Sequence, residues 1–102
     1  MKMAEKKDGM EYCIVRTESA GVFAGYIKER HNNEVVLVDA IRIWYWEGAA
    51  SLSQMAVEGV KTPENCKFAV PVPEVILFGV IEIIKVTADA KACIEGVPSW
   101  RV

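Results

Sequence analysis

Alternating apolar and polar positions in the first half of the chain predict a series of β-strands. The segments with this pattern are rich in β-branched and aromatic residues and are separated by Gly, Ser and Asn. Gly25 indicates a bend within one of them, and the pair Asn32-Asn33 favours a hairpin turn because Asn tolerates positive φ. Strands are predicted at residues 12–16, 22–30, 34–39 and 40–46, the last being either a fourth strand or the continuation of the third after a kink.

Two short helices are predicted in the second half from their end signals. Ser51 and Gln54 have the spacing of a capping box at the start of the first helix, and Gly59 is typical of its end. Thr87 is the expected cap of a second helix over residues 88–95, because Gly96 and Pro98 then stop it.

Between the two helices the pattern returns to strands. A short strand is predicted over residues 67–70, and a long β-branched strand over residues 74–86 with a bend at Gly79. The whole pattern predicts an α+β fold, in which a small, curved, mostly antiparallel sheet of about five strands accompanies the two helices.

Length and composition indicate one domain that associates with itself. The 102 residues fit one domain over residues 11–102, preceded by a loose, charged N-terminal arm over residues 1–10. Hydrophobic residues make up 52% of the chain, which is high for a small monomer. Long apolar strands in so short a chain leave unpaired edges, so we expect a homo-oligomer, either a dimer or a larger ring such as a hexamer.

Charge and cysteine usage exclude several classes of function. A net charge of −2 makes binding to a nucleic acid polymer improbable, since such binding needs a basic surface. The three cysteines are far apart and the single His31 lies in a turn, so neither a metal site nor a cofactor is expected. The chain shows no signal peptide and no apolar stretch of membrane-spanning length, which predicts a cytoplasmic protein with no membrane partner.

The run Arg42-Ile43-Trp44-Tyr45-Trp46 is the strongest candidate for binding chemistry. In a strand, successive side chains point to opposite faces. Ile41, Ile43 and Tyr45 are then expected in the core, while Arg42, Trp44 and Trp46 share the other face. A guanidinium beside two indole rings suits a phosphorylated ligand that contains a base. The alternative is that the aromatic run only packs in the core or in a subunit interface.

The sequence offers no catalytic constellation. It has no nucleophile elbow, no HExxH sequence, no Walker loop and no dinucleotide fingerprint. The single histidine is expected to be solvated in its turn. We therefore expect a binding protein and not an enzyme.

The segments at residues 15–25, 42–54, 58–61 and 97–100 together resemble small phage and prophage proteins of the type-one Thoeris anti-defence family. The resemblance covers about residues 11–102, and its most specific part is the block Trp44-Tyr45-Trp46-Glu47-Gly48-Ala49-Ala50-Ser51-Leu52-Ser53-Gln54. It implies a non-enzymatic sponge, which captures glycocyclic ADP-ribose signals made by bacterial TIR-domain enzymes and does not cut them. It also implies homodimers that can build larger rings, and for some members a separate site for cyclic oligonucleotides.

The candidate site residues are assigned from their chemistry, because the resemblance does not place the family's contact residues on this chain. Guanidiniums would bind phosphate, indoles would stack on the base, a helix start would contact ribose or phosphate, and an amide would read the base edge. The phosphate candidates are Arg16 and Arg42, and the stacking candidate is Trp44 or Trp46. The candidates at the helix start are Ser51 and Gln54, and the candidate for the base edge is Asn65.

Each candidate also has a purely structural alternative. Arg16 can be ion-paired on its strand, Ser51 and Gln54 can do nothing but cap the helix, and Asn65 can be a turn residue. Two other functions also compete at this point. The succession of strands and turns over residues 12–40 resembles the opening of Sm-like proteins, which form rings and bind RNA, and the chain can also be a structural phage component.

Overall fold

Six strands and two helices follow one another along residues 1–102, all of which are described by a computed structural model. The predicted fold class is confirmed: the protein is α+β, with a mostly antiparallel open sheet and two short helices. A single turn of 3₁₀ helix, Pro63–Asn65, precedes the fourth strand. The elements are β1 (Tyr12–Thr17), β2 (Val22–His31), β3 (Glu34–Tyr45), α1 (Leu52–Glu58), β4 (Lys67–Phe68), β5 (Val72–Leu77), β6 (Val80–Lys85) and α2 (Ala88–Gly96).

The long strand β3 lies at the centre of the sheet topology. The order of neighbours is β4-β3-β2-β1-β6, and β5 pairs with the first half of β3 while β4 pairs with its end. The two interpretations of residues 34–46 are thereby resolved, since β3 is one strand that continues through an irregularity at Asp39, where φ is 53°. Gly25 of β2 lies against this irregularity, because a Cβ there would be only 3.0 Å from the Val38 carbonyl oxygen.

The sheet is strongly curved because its two outer strands are joined by a very short connection. In a flat sheet β5 and β6 would be about 19 Å apart, four strand spacings of roughly 4.8 Å. Only Phe78 and Gly79 link them. The curvature is held by two backbone hydrogen bonds, from the Val80 N–H to the Asn33 carbonyl (3.0 Å) and from the Glu18 N–H to the Gly79 carbonyl (2.8 Å).

The prediction of one long strand over residues 74–86 is therefore wrong. Gly79 has φ 70°, a left-handed conformation that glycine adopts at little cost, and it does more than bend a strand. It turns the chain from β5, which pairs with β3, to β6, which pairs with β1.

Hydrophobic residues are buried on both faces of the sheet. The larger cluster has 15 buried residues and includes the helices' Met55, Ala90 and Ile94. Ile41 and Ile43 belong to it, as the alternation along β3 predicts. The smaller cluster has seven buried residues, among them Val15 and Leu77, and fills the other, inwardly curved face.

Both predicted helix caps are present. The Ser51 hydroxyl accepts from the Gln54 N–H at 3.1 Å, and the Thr87 hydroxyl accepts from the Ala90 N–H at 3.1 Å. The Thr87 hydroxyl also donates to the Val57 carbonyl at 2.8 Å, which ties α2 to the end of α1. Neither helix has the length and the apolar character needed to cross a membrane.

The N-terminal segment, predicted to be a loose arm, is bound to the body of the domain. The Ala4 N–H donates to the Val86 carbonyl at 3.0 Å, and the Ala88 N–H donates to the Lys2 carbonyl at 2.9 Å. Ala4 and Met10 also pack against the larger core cluster. The charged composition of residues 1–10 hides this backbone pairing, which involves no particular side chain.

Candidate functional site

A cavity of about 350 Å³ opens where the end of β3 meets the turn between β1 and β2. The sheet register explains this meeting, since Val22 at the start of β2 pairs with Arg16 on one side and with Ile43 on the other. The cavity is lined by Ser19, Ala20, Gly21, Val22, Arg42, Ile43, Trp44 and Trp46. The structure thus brings together three of the seven predicted site residues, Arg42, Trp44 and Trp46.

Arg42 is the cation of this cavity, and no carboxylate neutralises it. It takes part in none of the protein's five ion pairs. Its guanidinium carbon lies 4.6 Å from the centre of the Phe23 ring, and its Nη1 donates a long hydrogen bond of 3.4 Å to the Ala20 carbonyl. A guanidinium has five N–H donors, so Arg42 keeps most of them for an anion.

The two tryptophans differ in how firmly they are held. Trp46 is half-buried against the larger core cluster, and its indole N–H donates to the Ala49 carbonyl at 3.2 Å. Trp44 is 64% exposed. Trp46 therefore offers a fixed surface, whereas Trp44 offers an uncovered π face that a base could stack on.

Tyr45 does not lie in the core, contrary to the alternation predicted for the aromatic run. It is 45% exposed, because β3 ends at this residue and pairs there only with Lys67 of the short β4. Its hydroxyl donates to a Glu47 carboxylate oxygen at 2.7 Å, and this hydrogen bond raises the pKa of the tyrosine.

The turn between β1 and β2 contributes a wall that sequence reasoning missed. The backbone N–H groups of Ser19, Ala20 and Gly21 donate to no backbone carbonyl of the protein. Gly21 has φ 99°, which gives the turn its left-handed step. The sequence identifies residues 18–21 as a turn, but nothing in the sequence indicates that their N–H groups remain free at the edge of a cavity.

Four predicted site residues lie outside the cavity and are engaged elsewhere. Arg16 donates from Nε to Glu82 at 3.0 Å. Ser51 caps α1, and Gln54 accepts from the Ala50 N–H at 2.7 Å and donates to Glu58 at 3.2 Å. Asn65 donates to the second Glu47 oxygen at 3.0 Å. In each case the structure displays the structural alternative that accompanied the ligand-binding interpretation.

Glu47 holds the segment after the aromatic run in place. Its two carboxylate oxygens accept from Tyr45 and Asn65, and its backbone carbonyl lies 3.5 Å from the Cys66 sulfur. Gly48 is packed so tightly that a Cβ would lie 2.5 Å from the Lys61 nitrogen. This arrangement fixes the path of the chain behind Trp46, and both oxygens of the Glu47 carboxylate already accept a hydrogen bond.

Three other hollows differ from this cavity in their lining. One, of about 150 Å³, lies on the other side of Arg42 and is otherwise lined by apolar residues such as Val70 and Val75. The second, of about 280 Å³, runs along β6 beside Arg30 and Asn32 and has no aromatic lining. A third, of about 190 Å³, lies at the C-terminal end of the chain and is lined by Trp100, Arg101 and Val102, so it also combines an indole with a guanidinium. The 350 Å³ cavity differs from it in having a second indole ring and the free backbone donors of the β1–β2 turn.

The fold and this cavity define the protein as a small α+β domain with an open arginine–tryptophan site. A family model described as a domain of unknown function, DUF6948, matches residues 10–94, more than half of the chain, so the protein belongs to this family. No curated protein and no solved structure matches the chain.

Proposed function

We propose that the protein binds a small cyclic nucleotide-derived signal in the Arg42–Trp44 cavity and holds it without cleaving it. The signal would be a glycocyclic ADP-ribose, and the protein would act as a cytoplasmic phage or prophage anti-defence sponge of the type-one Thoeris kind. The observation that supports this best is the unpaired Arg42 guanidinium beside the exposed face of Trp44 in one cavity.

The size and the lining of the cavity suit such a ligand. About 350 Å³ lies at the lower end of the range for small-molecule sites. Nanomolar capture needs about −12 kcal/mol of binding free energy. Charge-assisted hydrogen bonds from Arg42 contribute about 1.5–3 kcal/mol each, and stacking of a base on Trp44 adds about 1–3 kcal/mol.

These terms reach nanomolar affinity only if water is excluded, and a second copy of the chain would do this. Trp44 is exposed at the mouth of the cavity, and β5 and β6 each have an unpaired edge. A homodimer, alone or within a larger ring, would cover such edges and close the site. The oligomeric state belongs to the proposal and is measured by native mass spectrometry with and without cyclic ADP-ribose.

Sequestration is favoured over catalysis by the chemistry of the lining. Arg42 is the only titratable side chain among the eight lining residues, and a guanidinium does not lose its proton in proteins. General acid–base chemistry needs a group that exchanges a proton near neutral pH. Glu18 and Glu47 adjoin the lining residues along the chain but do not line the cavity, and Glu47 already accepts two hydrogen bonds.

The test is recovery of an intact ligand. The purified protein is incubated with cyclic ADP-ribose isomers and cyclic dinucleotides, separated from unbound material and heated, and the released molecules are identified by mass spectrometry. We expect one isomer to be retained and released unchanged. Release of a cleaved product would point to an enzyme, and retention of none of the probes would overturn the proposal.

The same preparation tests the alternative of an Sm-like RNA-binding ring. Single-stranded RNA is added at low and at high salt, and binding is followed by fluorescence anisotropy. Salt-sensitive binding at micromolar protein, without retention of a cyclic nucleotide, would favour that alternative. A net charge of −2 speaks against it.

A further inference from the structure

We infer that the β1–β2 turn and Arg42 together form the anion-binding half of the cavity. In this arrangement the phosphate groups of the ligand lie against the backbone of residues 19–21, and the base stacks on Trp44. The inference rests on the proposed function, and it replaces the assignment of phosphate to Arg16 or to the start of α1.

Binding a diphosphate requires donors besides the Arg42 guanidinium. A diphosphate has two or more negative charges and more acceptor oxygens than one guanidinium can serve. Arg42 is the only cation among the lining residues. The donors that remain are the Ser19 hydroxyl and the N–H groups of Ser19, Ala20 and Gly21, which donate to no backbone carbonyl.

The turn and the guanidinium are already in contact. Arg42 donates to the Ala20 carbonyl, so the cation is held beside the Ala20–Gly21 peptide, one of the three whose N–H donors are free. Successive free N–H groups in a turn form a concave site for anions. Since these groups are exposed, an anion replaces only water when it binds to them.

The other positions predicted to bind phosphate are already occupied by contacts within the protein. The Arg16 guanidinium is paired with Glu82, and the Ser51 and Gln54 side chains are used by the cap of α1. Helix α1 has only seven residues, which gives it a weak dipole. None of these groups faces the cavity.

The inference is tested with two matched substitutions that each add one negative charge to an exposed alanine. Ala20→Asp places a carboxylate in the turn beside Arg42, and Ala50→Asp places one at the start of α1. The probe is inorganic pyrophosphate, titrated to millimolar concentration into ¹⁵N-labelled wild-type protein and both variants. We expect the amide signals of residues 19–21 to shift, and Ala20→Asp to weaken binding about tenfold or more while Ala50→Asp changes it less than about twofold.

A second pair of variants tests the same anion site without adding a charge. Gly21→Ala and Gly9→Ala both strain a left-handed glycine, with φ 99° and 81°, and in neither position does an added Cβ meet another atom within 4 Å. Equal losses of stability are expected for the two variants. Only Gly21→Ala should weaken pyrophosphate binding.

Failure of this inference can be told apart from failure of the proposed function. Shifts at residues 50–54 instead of 19–21, or no shift at millimolar pyrophosphate, would overturn the anion site even if a cyclic nucleotide is retained. If the wild-type protein retains no nucleotide, sequestration is wrong, and the pyrophosphate titration still decides whether the turn binds anions.

Discussion

A closed cluster and an open cluster of cations and aromatic rings lie at different places in this protein. The closed cluster consists of Tyr12, Tyr26, Lys7 and Lys91. Its tyrosine rings meet edge to face at 5.0 Å, and the Lys91 ammonium lies 5.4 Å and 5.5 Å from their centres. The open cluster consists of Arg42, Phe23, Trp44 and Trp46, with the guanidinium 4.6 Å from the Phe23 ring.

The clusters differ in whether their cations have acidic partners. Lys91 pairs with Glu95 at 2.8 Å and Lys7 pairs with Asp39 at 2.7 Å, so an anionic ligand would have to displace a carboxylate at either position. Arg42 has no such partner and borders a cavity. Residue types alone therefore do not show whether a cation beside aromatic rings is already paired. The neighbouring carboxylates in the fold show this.

The largest expected effect follows from removing the open cluster. In Arg42→Ala with Trp44→Ala, the lost hydrogen bonds and stacking amount to about 2.5–6 kcal/mol. We expect retention of the cyclic nucleotide to fall at least about 70-fold, measured by calorimetry with the retained isomer. Both side chains are exposed, so the fold should survive, as checked by circular dichroism.

The matched control removes an arginine that has a carboxylate partner. Arg16→Ala breaks an exposed ion pair with Glu82 at 3.0 Å, and we expect retention to stay within about twofold of wild type. If the double variant retains the nucleotide as well as wild type, or if Arg16→Ala loses as much retention as the double variant, the unpaired Arg42 is not what distinguishes the binding site.

Features that depend on residues close together in the sequence could be predicted from the sequence alone. Alternation along β3 predicts that Ile41 and Ile43 are buried and that Arg42 and Trp44 share an outward face. The caps at Ser51 and Thr87 are hydrogen bonds between residues three apart, which the spacing of residue types reveals.

The remaining features depend on contacts between distant residues. Arg16 and Arg42 look alike in the sequence, and only the fold shows that Glu82, 66 residues away, pairs with the first. The free N–H groups of residues 19–21 depend on which carbonyls the folded turn leaves out of reach. The exposure of Tyr45 depends on where β3 ends, and residue types define such boundaries poorly.

A smaller effect is expected from the closed cluster, and it depends on pH. Lys91 has a raised pKa because it donates to Glu95 and, to a lesser extent, interacts with Tyr26. A raised pKa means that the folded state favours the charged lysine. The stabilisation is complete below the ordinary value of 10.5 and disappears as the pH rises through the folded-state pKa.

Lys91→Met tests this dependence. At pH 8 the variant should lose about 1–2 kcal/mol of unfolding free energy, from two cation–π contacts and one ion pair within α2. In urea denaturation at several pH values above 10.5, the difference in unfolding free energy between the variant and the wild type should become smaller. Retention of the nucleotide should not change, since Lys91 is remote from the cavity lining. If this difference in unfolding free energy does not change with pH, the lost stability comes from packing alone.

The smallest expected effect concerns the one polar group that the closed cluster leaves unsatisfied. Tyr12 is 2% exposed and its hydroxyl has no hydrogen-bond partner, and burial raises its pKa. An unpaired buried hydroxyl costs stability, so Tyr12→Phe should raise the unfolding free energy by about 1 kcal/mol in urea denaturation at pH 8. Tyr26→Phe is the matched control and should lower the unfolding free energy, because the Tyr26 oxygen favours the charged form of Lys91. Opposite signs for two tyrosines in edge-to-face contact would establish that this cluster serves packing, whereas a loss in both would contradict the assignment of the Tyr12 hydroxyl as unpaired.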